Sequence, residues 1–257
     1  MLMPRLVRAF HFYLFDFCKK ILILVRYLSG PRIIFKFVQS RIYSIVLNKS
    51  HKKTVLKYAG DTNYKFSSDW FSSKIPPWIK YVKYPKKSEI KILEIGSFEG
   101  RSTVFILTNW PNSRVDCVDP WLDYAEVPFK SGMGGLSEKN FDFNTMKFKN
   151  QIVKYKMKST DFFLTNTQSI YDIVYIDGLH LASSVFLDAS NSHFMLKTGG
   201  YMIFDDYFWG FYSRYKDKTI YGINQFIAVY GSFYSIKFVD AQLIMKKTIN
   251  TNPLYET

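Results

Sequence analysis

The stretch KILEIGSFEGRSTV, residues 91–104, predicts the fold because it combines a short apolar strand, a glycine turn and a helix start. The apolar run at 92–95 is typical of a parallel strand that is buried on both faces. Gly96 and Gly100 bracket the turn, and a helical pattern then continues to Pro111. Such a turn lets a ligand approach the backbone, and the helix start offers unpaired N–H groups to an anion. The stretch therefore predicts either a nucleotide-type cofactor pocket or a turn that needs glycine for its geometry alone.

Downstream of this turn, the sequence alternates between strand and helix patterns. The predicted strands are 91–95, 114–118, 152–157, 171–176 and 201–204, followed by a pair at 234–239 and 242–247 that is close enough to form a hairpin. Helices are expected over 182–196 and 222–230, with a turn at 197–200. The alternation predicts an α/β fold with a mostly parallel seven-stranded sheet, helices on both faces and an antiparallel C-terminal hairpin.

Acidic residues lie at or next to the ends of these strands. They are Glu94, Asp119, Asp177, Asp205 and Asp206. In parallel sheets, ligands bind at the carboxyl ends of the strands. We therefore expect these carboxylates to surround a functional site.

Asp119 ends the second predicted strand, 25 residues after Glu94. An acid at this position can accept hydrogen bonds from the ribose hydroxyls of a bound nucleoside, and the alternative is a helix-capping or loop acid. Trp121 follows closely, and its indole either stacks on an adenine or belongs to the core.

Asp177, Asp205 and Asp206 are expected to meet, because their strands are neighbours. Three carboxylates repel one another unless a cation compensates, and oxygen ligands suit Mg²⁺, Mn²⁺ or Ca²⁺. His180 lies three residues after Asp177. It either removes a proton from a metal-bound hydroxyl or is a loop histidine that is hydrogen-bonded to an acid.

The N-terminal segment carries most of the charge of the 257-residue chain. Residues 1–60 contain twelve Lys and Arg and one acid, Asp16, and so contribute +11 of the net charge of +14. Apolar residues recur at helical spacing, Gly30-Pro31 interrupts the pattern, and no uncharged run approaches the ~20 residues of a membrane span. The segment predicts basic helices that lie on an anionic membrane surface, pack on the domain or on a second copy, or bind nucleic acid.

Composition predicts a three-part organisation. Residues 1–55 form the basic helical appendage, 56–88 a connector in which Pro76-Pro77 is read as a loop, and 89–250 the α/β domain. Apolar content of 47% with 19% aromatics favours a large packed core and excludes global disorder. The two cysteines do not suggest a disulfide framework, which favours a reducing, cytoplasmic location. Peripheral attachment to the inner face of a membrane is an additional possibility.

Taken together, these motifs resemble class I S-adenosylmethionine-dependent methyltransferases. The matching segments, in order, are LEIGSFEGRST, CVDPW, YIDGLH, the Lys-Thr-Gly-Gly turn and FDDY, within about residues 65–247. The turn is most similar to the subgroup with E-I-G-S-x-x-G-x-S, whose metal-dependent relatives include sugar and antibiotic O-methyltransferases of the macrocin and mycinamicin type. The resemblance implies a Rossmann-like methyltransferase fold, S-adenosylmethionine as cofactor and Mg²⁺ as metal.

The resemblance also implies roles for the matching residues. Glu94 would bind the methionyl amine, and Gly96 would let the methionyl group approach the backbone. Ser97 would belong to the same cofactor turn, and Gly100 and Ser102 would help to hold the methionyl carboxylate. Asp119 would hold the ribose, with Trp121 and Ser159 near the adenine. Asp177, Asp205 and Asp206 match the Mg²⁺ ligands of the metal-dependent relatives, and His180 matches their general base. Residues 128–144, with Gly132, Gly134 and Gly135, match a variable lid over the acceptor.

The sequence therefore predicts Mg²⁺-dependent O-methylation of a small polyol, sugar or glycan-linked acceptor, with His180 and Asp177 as catalytic residues. The alternatives are an inactive membrane-associated scaffold, an RNA methyltransferase and a nicotinamide-dependent oxidoreductase. The last is disfavoured because Ser97 replaces the second glycine of the dinucleotide pattern. Nucleic acid is disfavoured because the N-terminal cations alternate with long apolar side chains, while a homo-oligomer stays open.

Overall fold

The structure of the protein, a computed structural model, describes residues 5–27, 29–122, 134–168 and 170–249. Over these ranges the strands are β1 (Lys91–Ile95), β2 (Arg114–Val118), β3 (Ile152–Tyr155), β4 (Tyr171–Ile176), β5 (Leu196–Phe204), β6 (Tyr234–Val239) and β7 (Leu243–Lys247). The α-helices are α1 (Arg5–Arg26), α2 (Gly30–Ala59), α3 (Ile75–Tyr81), α4 (Arg101–Asn109), α5 (Gly134–Thr145), α6 (Ser159–Thr165), α7 (Ala182–Met195) and α8 (Thr219–Tyr230).

The strands form one mixed sheet in the order β3-β2-β1-β4-β5-β7-β6. Strands β1 to β5 are parallel, and β7 runs antiparallel to both β5 and β6. Ile95, at the end of β1, is level with Val118 of β2 and Ile176 of β4, so the carboxyl ends of these strands share one edge. The expected α/β fold, a mostly parallel seven-stranded sheet of Rossmann-like form with an antiparallel C-terminal hairpin, is confirmed.

The sheet is covered on both faces, which explains why its strands are apolar throughout. Leu93 and Ile95 point to one face, towards the cluster that contains α1, α2, α7 and α8. Ile92 points to the other face, where the fully buried Trp78 and Trp110 pack near α3 and α4. The core therefore lies on both sides of β1, and the glycine turn is held between two packed layers.

Several expected boundaries shift by a few residues, and two segments that were expected to be turns or loops belong to regular elements. The turn predicted at 197–200 lies inside β5 as a bulge: Tyr171 of β4 pairs with Leu196, and Ile173 already pairs with Tyr201. The Pro76-Pro77 pair, read as a loop, opens helix α3. Proline is tolerated there because the first N–H groups of a helix have no intrahelical partner.

The two N-terminal helices pack on the α/β domain. Leu24 and Phe37 are fully buried, and the Val239 N–H at the end of β6 donates to the Ser40 hydroxyl at 3.1 Å. Arg41 bridges α1 to the domain, because it pairs with Asp16 at 2.7 Å and with Asp240 at 3.0 Å. Packing, one of the three alternatives for this segment, therefore occurs, and α2 continues beyond the predicted domain boundary at 55.

None of the described helices is both long enough and apolar enough to span a bilayer. The two cysteines are free thiols, with Cys18 exposed on α1 and Cys117 buried in β2.

Candidate cofactor and acceptor site

Both glycines of the turn are required by the local geometry. Gly96 has φ = +86°, and a Cβ at this position would lie 2.1 Å from the carbonyl oxygen of Asp177. Gly100 has φ = +78°, and a Cβ there would lie 3.0 Å from the side chains of Phe141 and Thr145. The turn after β1 therefore touches both the end of β4 and helix α5, and it brings the predicted cofactor loop against the acidic strand end.

The Glu94 carboxylate lies fully buried beneath this turn. It accepts hydrogen bonds from the hydroxyls of Ser97 (3.0 Å), Thr103 (2.5 Å) and Ser102, and from the Cys117 thiol (3.6 Å). Burial raises the pKa of Glu94, while these hydrogen bonds act in the opposite direction. These contacts link Glu94 to the turn and to the start of α4. Direct binding of a methionyl amine by Glu94 stays a prediction.

Asp119 ties the end of β2 to the turn. Its two oxygens accept hydrogen bonds from the backbone N–H groups of Phe98 (2.9 Å) and Trp121 (2.7 Å). Trp121 is 4% exposed, donates its indole N–H to the Phe98 carbonyl at 2.7 Å and packs against Phe141. The geometry thus places the indole in the core beside the turn, and the ribose and adenine roles of this pair stay predictions.

Ser159, at the start of α6, is hydrogen-bonded to Asp188 of α7. Asp188 is 3% exposed, and burial raises its pKa to about 7 although the Ser159 bond lowers it. A Cβ on Gly178, after β4, would lie 3.6 Å from an Asp188 oxygen, so this buried acid supports the loop next to Asp177. Sequence reasoning missed Asp188 because an acid inside a helix carries no motif.

The expected lid is only partly described. Residues 128–133, including Gly132, lie outside the described residues, and Gly134 and Gly135 open helix α5. This helix packs over the turn: the Asn140 amide donates to a Glu99 oxygen at 2.8 Å, and the Asn144 amide donates to the Glu99 carbonyl at 2.9 Å. A role of the segment in acceptor binding stays a prediction.

The acids at the ends of β4 and β5 come together as expected. His180 Nε2 lies 2.7 Å from Asp206 Oδ2 and 3.8 Å from Asp177 Oδ1. Asp206 holds this position with φ = +52°, a left-handed conformation that is uncommon for a residue other than glycine. One ligand atom each of Asp177, His180 and Asp206 lie within 4.8 Å of one another.

Asp205 is the most buried of the three acids. It is 3% exposed, and its Oδ2 accepts hydrogen bonds from Lys74 Nζ and the Tyr175 hydroxyl, both at 2.5 Å. Its other oxygen accepts the backbone N–H of Asp206 at 2.7 Å. The three acids therefore split into a buried Asp205 and a partly exposed pair, Asp177 and Asp206.

Lys74 is a second residue of the candidate site that sequence reasoning missed. It ends a 3-10 turn before α3, and its Nζ lies 2.5 Å from Asp205 and 3.6 Å from Asp206. Burial disfavours its charge, but the carboxylates of Asp205, Asp177 and Asp206 outweigh that effect and raise the pKa of Lys74. One sequence signal pointed to such a group: three converging carboxylates need a cation.

The remaining charge fits a divalent cation. One lysine against three carboxylates leaves the site negative while His180 is neutral, and Asp177 and Asp206 still carry partly exposed oxygens. Carboxylate oxygens are ligands that Mg²⁺ accepts. His180, whose ring lies 4.7 Å from that of Trp209, makes the pairing with Asp206 that orients a general base.

Comparison with known proteins finds similarity to methyltransferases. Residues 93–207 match a family model described as a methyltransferase domain. An uncharacterized protein of Acanthamoeba polyphaga mimivirus is 28% identical over 129 residues, which are 48% of this chain and 53% of that protein. The chain thus spans about half the length of this curated relative.

Solved structures share the fold at low sequence identity. The MycE methyltransferase of the mycinamycin pathway, solved with Mg and SAH, is 13% identical at a TM-score of 0.52, over 79% of this chain and 56% of that one. A putative O-methyltransferase from Klebsiella pneumoniae is 13% identical with a TM-score of 0.51, over 82% of this chain and 100% of that one. A putative caffeoyl-CoA O-methyltransferase from Staphylococcus aureus is 15% identical with a TM-score of 0.50, over 81% of this chain and 100% of that one. The resemblance to class I S-adenosylmethionine-dependent methyltransferases is confirmed.

Proposed function

We propose that the protein transfers a methyl group from S-adenosylmethionine to a hydroxyl oxygen of its acceptor, because residues 93–207 match a family model described as a methyltransferase domain. The observation that carries this proposal is the contact between the glycine turn and the acidic strand end. Gly96 approaches the Asp177 backbone so closely that no side chain fits between them. A cofactor on the turn would thus lie beside the His180–Asp206 pair.

His180 is the general base in this proposal. Its Nε2 is held by Asp206 at 2.7 Å, so in the neutral ring with Nε2–H donating, Nδ1 carries the lone pair. The acceptor hydroxyl would give its proton to His180. Bound S-adenosylmethionine would supply the methyl group from its sulfonium sulfur and would leave as S-adenosylhomocysteine. Asp206 stabilises the imidazolium that results, and Trp209 restricts the orientation of the ring.

Asp177 and Asp206 are the residues proposed to hold Mg²⁺. When bound, the metal would lower the pKa of an acceptor hydroxyl. Asp205, which was also expected to be a ligand, accepts hydrogen bonds from Lys74 and Tyr175, and its part in metal binding stays a prediction. The proposed Mg²⁺ requirement is supported by the charge of these residues and by the Mg bound in the structure of MycE, which shares the fold.

The proposed acceptor is a small polyol, a sugar or a glycan-linked hydroxyl compound. The MycE enzyme, which shares the fold, has been solved with Mg, SAH and mycinamycin VI. The alternative of an inactive scaffold is disfavoured, because the residues that the reaction needs are present and converge.

Calorimetric titration with S-adenosylhomocysteine tests the cofactor part of the proposal. The wild-type protein should bind this ligand. The variant Asp119→Ala should bind it at least about tenfold more weakly, because it loses the hydrogen bonds that hold the turn. The control Asp161→Ala, which removes an exposed acid on α6, should bind with wild-type affinity. If folded wild-type protein shows no binding, the glycine turn is architectural and the scaffold reading replaces the enzyme.

A further inference from the structure

Helices α1 and α2 expose apolar side chains although their inner faces are already packed. Leu24 and Phe37 are fully buried against the domain. On the opposite side of α1, Phe15 and Leu22 are 70% and 69% exposed, and on the opposite side of α2, Phe35 and Ile42 are 70% and 65% exposed. Within each helix the two residues are seven positions apart, which is two helical turns, so they share one side of that helix. Large exposed apolar side chains that share one side of a helix point to an interaction surface. We call Phe15, Leu22, Phe35 and Ile42 the outer face.

Cations accompany the outer face. Lys19 and Arg26 are exposed between and beside its α1 residues, and Arg32 is exposed near the start of α2. The one acid of residues 1–60, Asp16, is paired with Arg41 and Lys20, so it does not offset these exposed cations directly. The surface therefore combines large apolar side chains with positive charge.

We propose that the outer face binds the surface of an anionic lipid bilayer. A helix lying in the interface buries its apolar side chains at the headgroup boundary while its cations attract anionic lipids. A second copy of this chain fits less well, because two such surfaces would bring like charges together. Nucleic acid fits less well because the outer face offers bulky apolar side chains where a phosphate track needs cations.

The helices that carry the outer face are anchored on segments next to the proposed active site. The turn between α1 and α2 is docked on the segment that follows Asp206: the Tyr207 hydroxyl lies 3.4 Å from the Ser29 hydroxyl, and the Asn224 amide donates to the Tyr27 carbonyl at 3.1 Å. Membrane binding itself does not depend on methyl transfer. It stands or fails separately from S-adenosylhomocysteine binding.

Vesicle sedimentation of the full chain tests the proposal. Wild-type protein should sediment with phosphatidylcholine vesicles that contain about 30% phosphatidylglycerol and should stay in solution with phosphatidylcholine alone. Phe15→Ser/Leu22→Ser/Phe35→Ser should weaken partitioning at least about tenfold. Lys19→Gln/Arg26→Gln should weaken it by about fivefold for each cation removed, and salt at about 0.5 M should weaken the wild type.

The matched control is Leu164→Ser/Leu187→Ser, which removes exposed apolar side chains of α6 and α7 (81% and 49% exposed) and should partition like the wild type. Thermal melts establish that each variant is folded. Equal partitioning of the triple variant and the wild type would overturn the proposal, as would wild-type protein that ignores anionic vesicles. A wild-type dimer that the triple variant converts to monomer, or RNA retention that the triple variant abolishes, would assign the outer face to that partner instead.

Discussion

Lys74→Met is the substitution that most directly tests the charge arrangement of the site. It removes the ammonium and keeps most of the side-chain volume. The Lys74 and Asp205 side chains are 12% and 1% exposed, and their charged atoms lie 2.5 Å apart. Removing one partner of a buried ion pair leaves an uncompensated charge, at a cost of about 3–5 kcal/mol. We expect urea unfolding to show a loss of this size.

The double variant separates the pair from a general packing defect. With Asp205→Asn added, the uncompensated carboxylate disappears, so the double variant should be more stable than Lys74→Met alone. Because a divalent cation can compensate the same carboxylates, Mg²⁺ should stabilise Lys74→Met more than it stabilises the wild type. The exposed Lys86→Met serves as the control.

Two outcomes would refute this reasoning. One is a cost for Lys74→Met below about 1 kcal/mol, the value typical of an exposed ion pair. The other is a double variant whose loss equals the sum of the two single losses, because the two side chains would then be energetically independent.

The remaining predictions concern the base, the buried acid and the turn. His180→Ala should lower turnover at least about 10²-fold while S-adenosylhomocysteine binding persists, and wild-type turnover would remove the base assignment. Asp188, whose folded pKa of about 7 lies above its ordinary 3.8, favours folding below about pH 4, and this contribution is lost as the pH rises to about 7. Relative to Asp188→Asn, the wild type should lose roughly 4 kcal/mol of unfolding free energy across that window, and parallel pH profiles would contradict this. Gly96→Ala should cost at least about 2 kcal/mol in urea unfolding, because its Cβ would meet the Asp177 carbonyl, whereas Gly135→Ala has open space and should be neutral; equal effects would refute the argument.

Several features of the site followed from the sequence because they depend on neighbouring residues. The bounds of β1, β2 and β4 agree with the apolar runs, since a strand covered on both faces must be apolar along its length. The convergence of Asp177 and Asp206 followed from topology, because neighbouring parallel strands end at one edge.

Other features depend on which distant segments meet, and the local sequence carries no record of them. Lys74 and Asp205 are 131 positions apart, and Lys74 stands in a short turn without a motif. The sequence left open whether Trp121 is exposed or buried, and the structure places its indole against Phe98 and Phe141. The sequence alone determined the strands, the glycine turn and the carboxylates at the strand ends, because hydrophobic period and chain order specify them. Only the tertiary structure decided which carboxylate is neutralised and which remain partly exposed for chemistry, because burial and ion pairing depend on long-range packing.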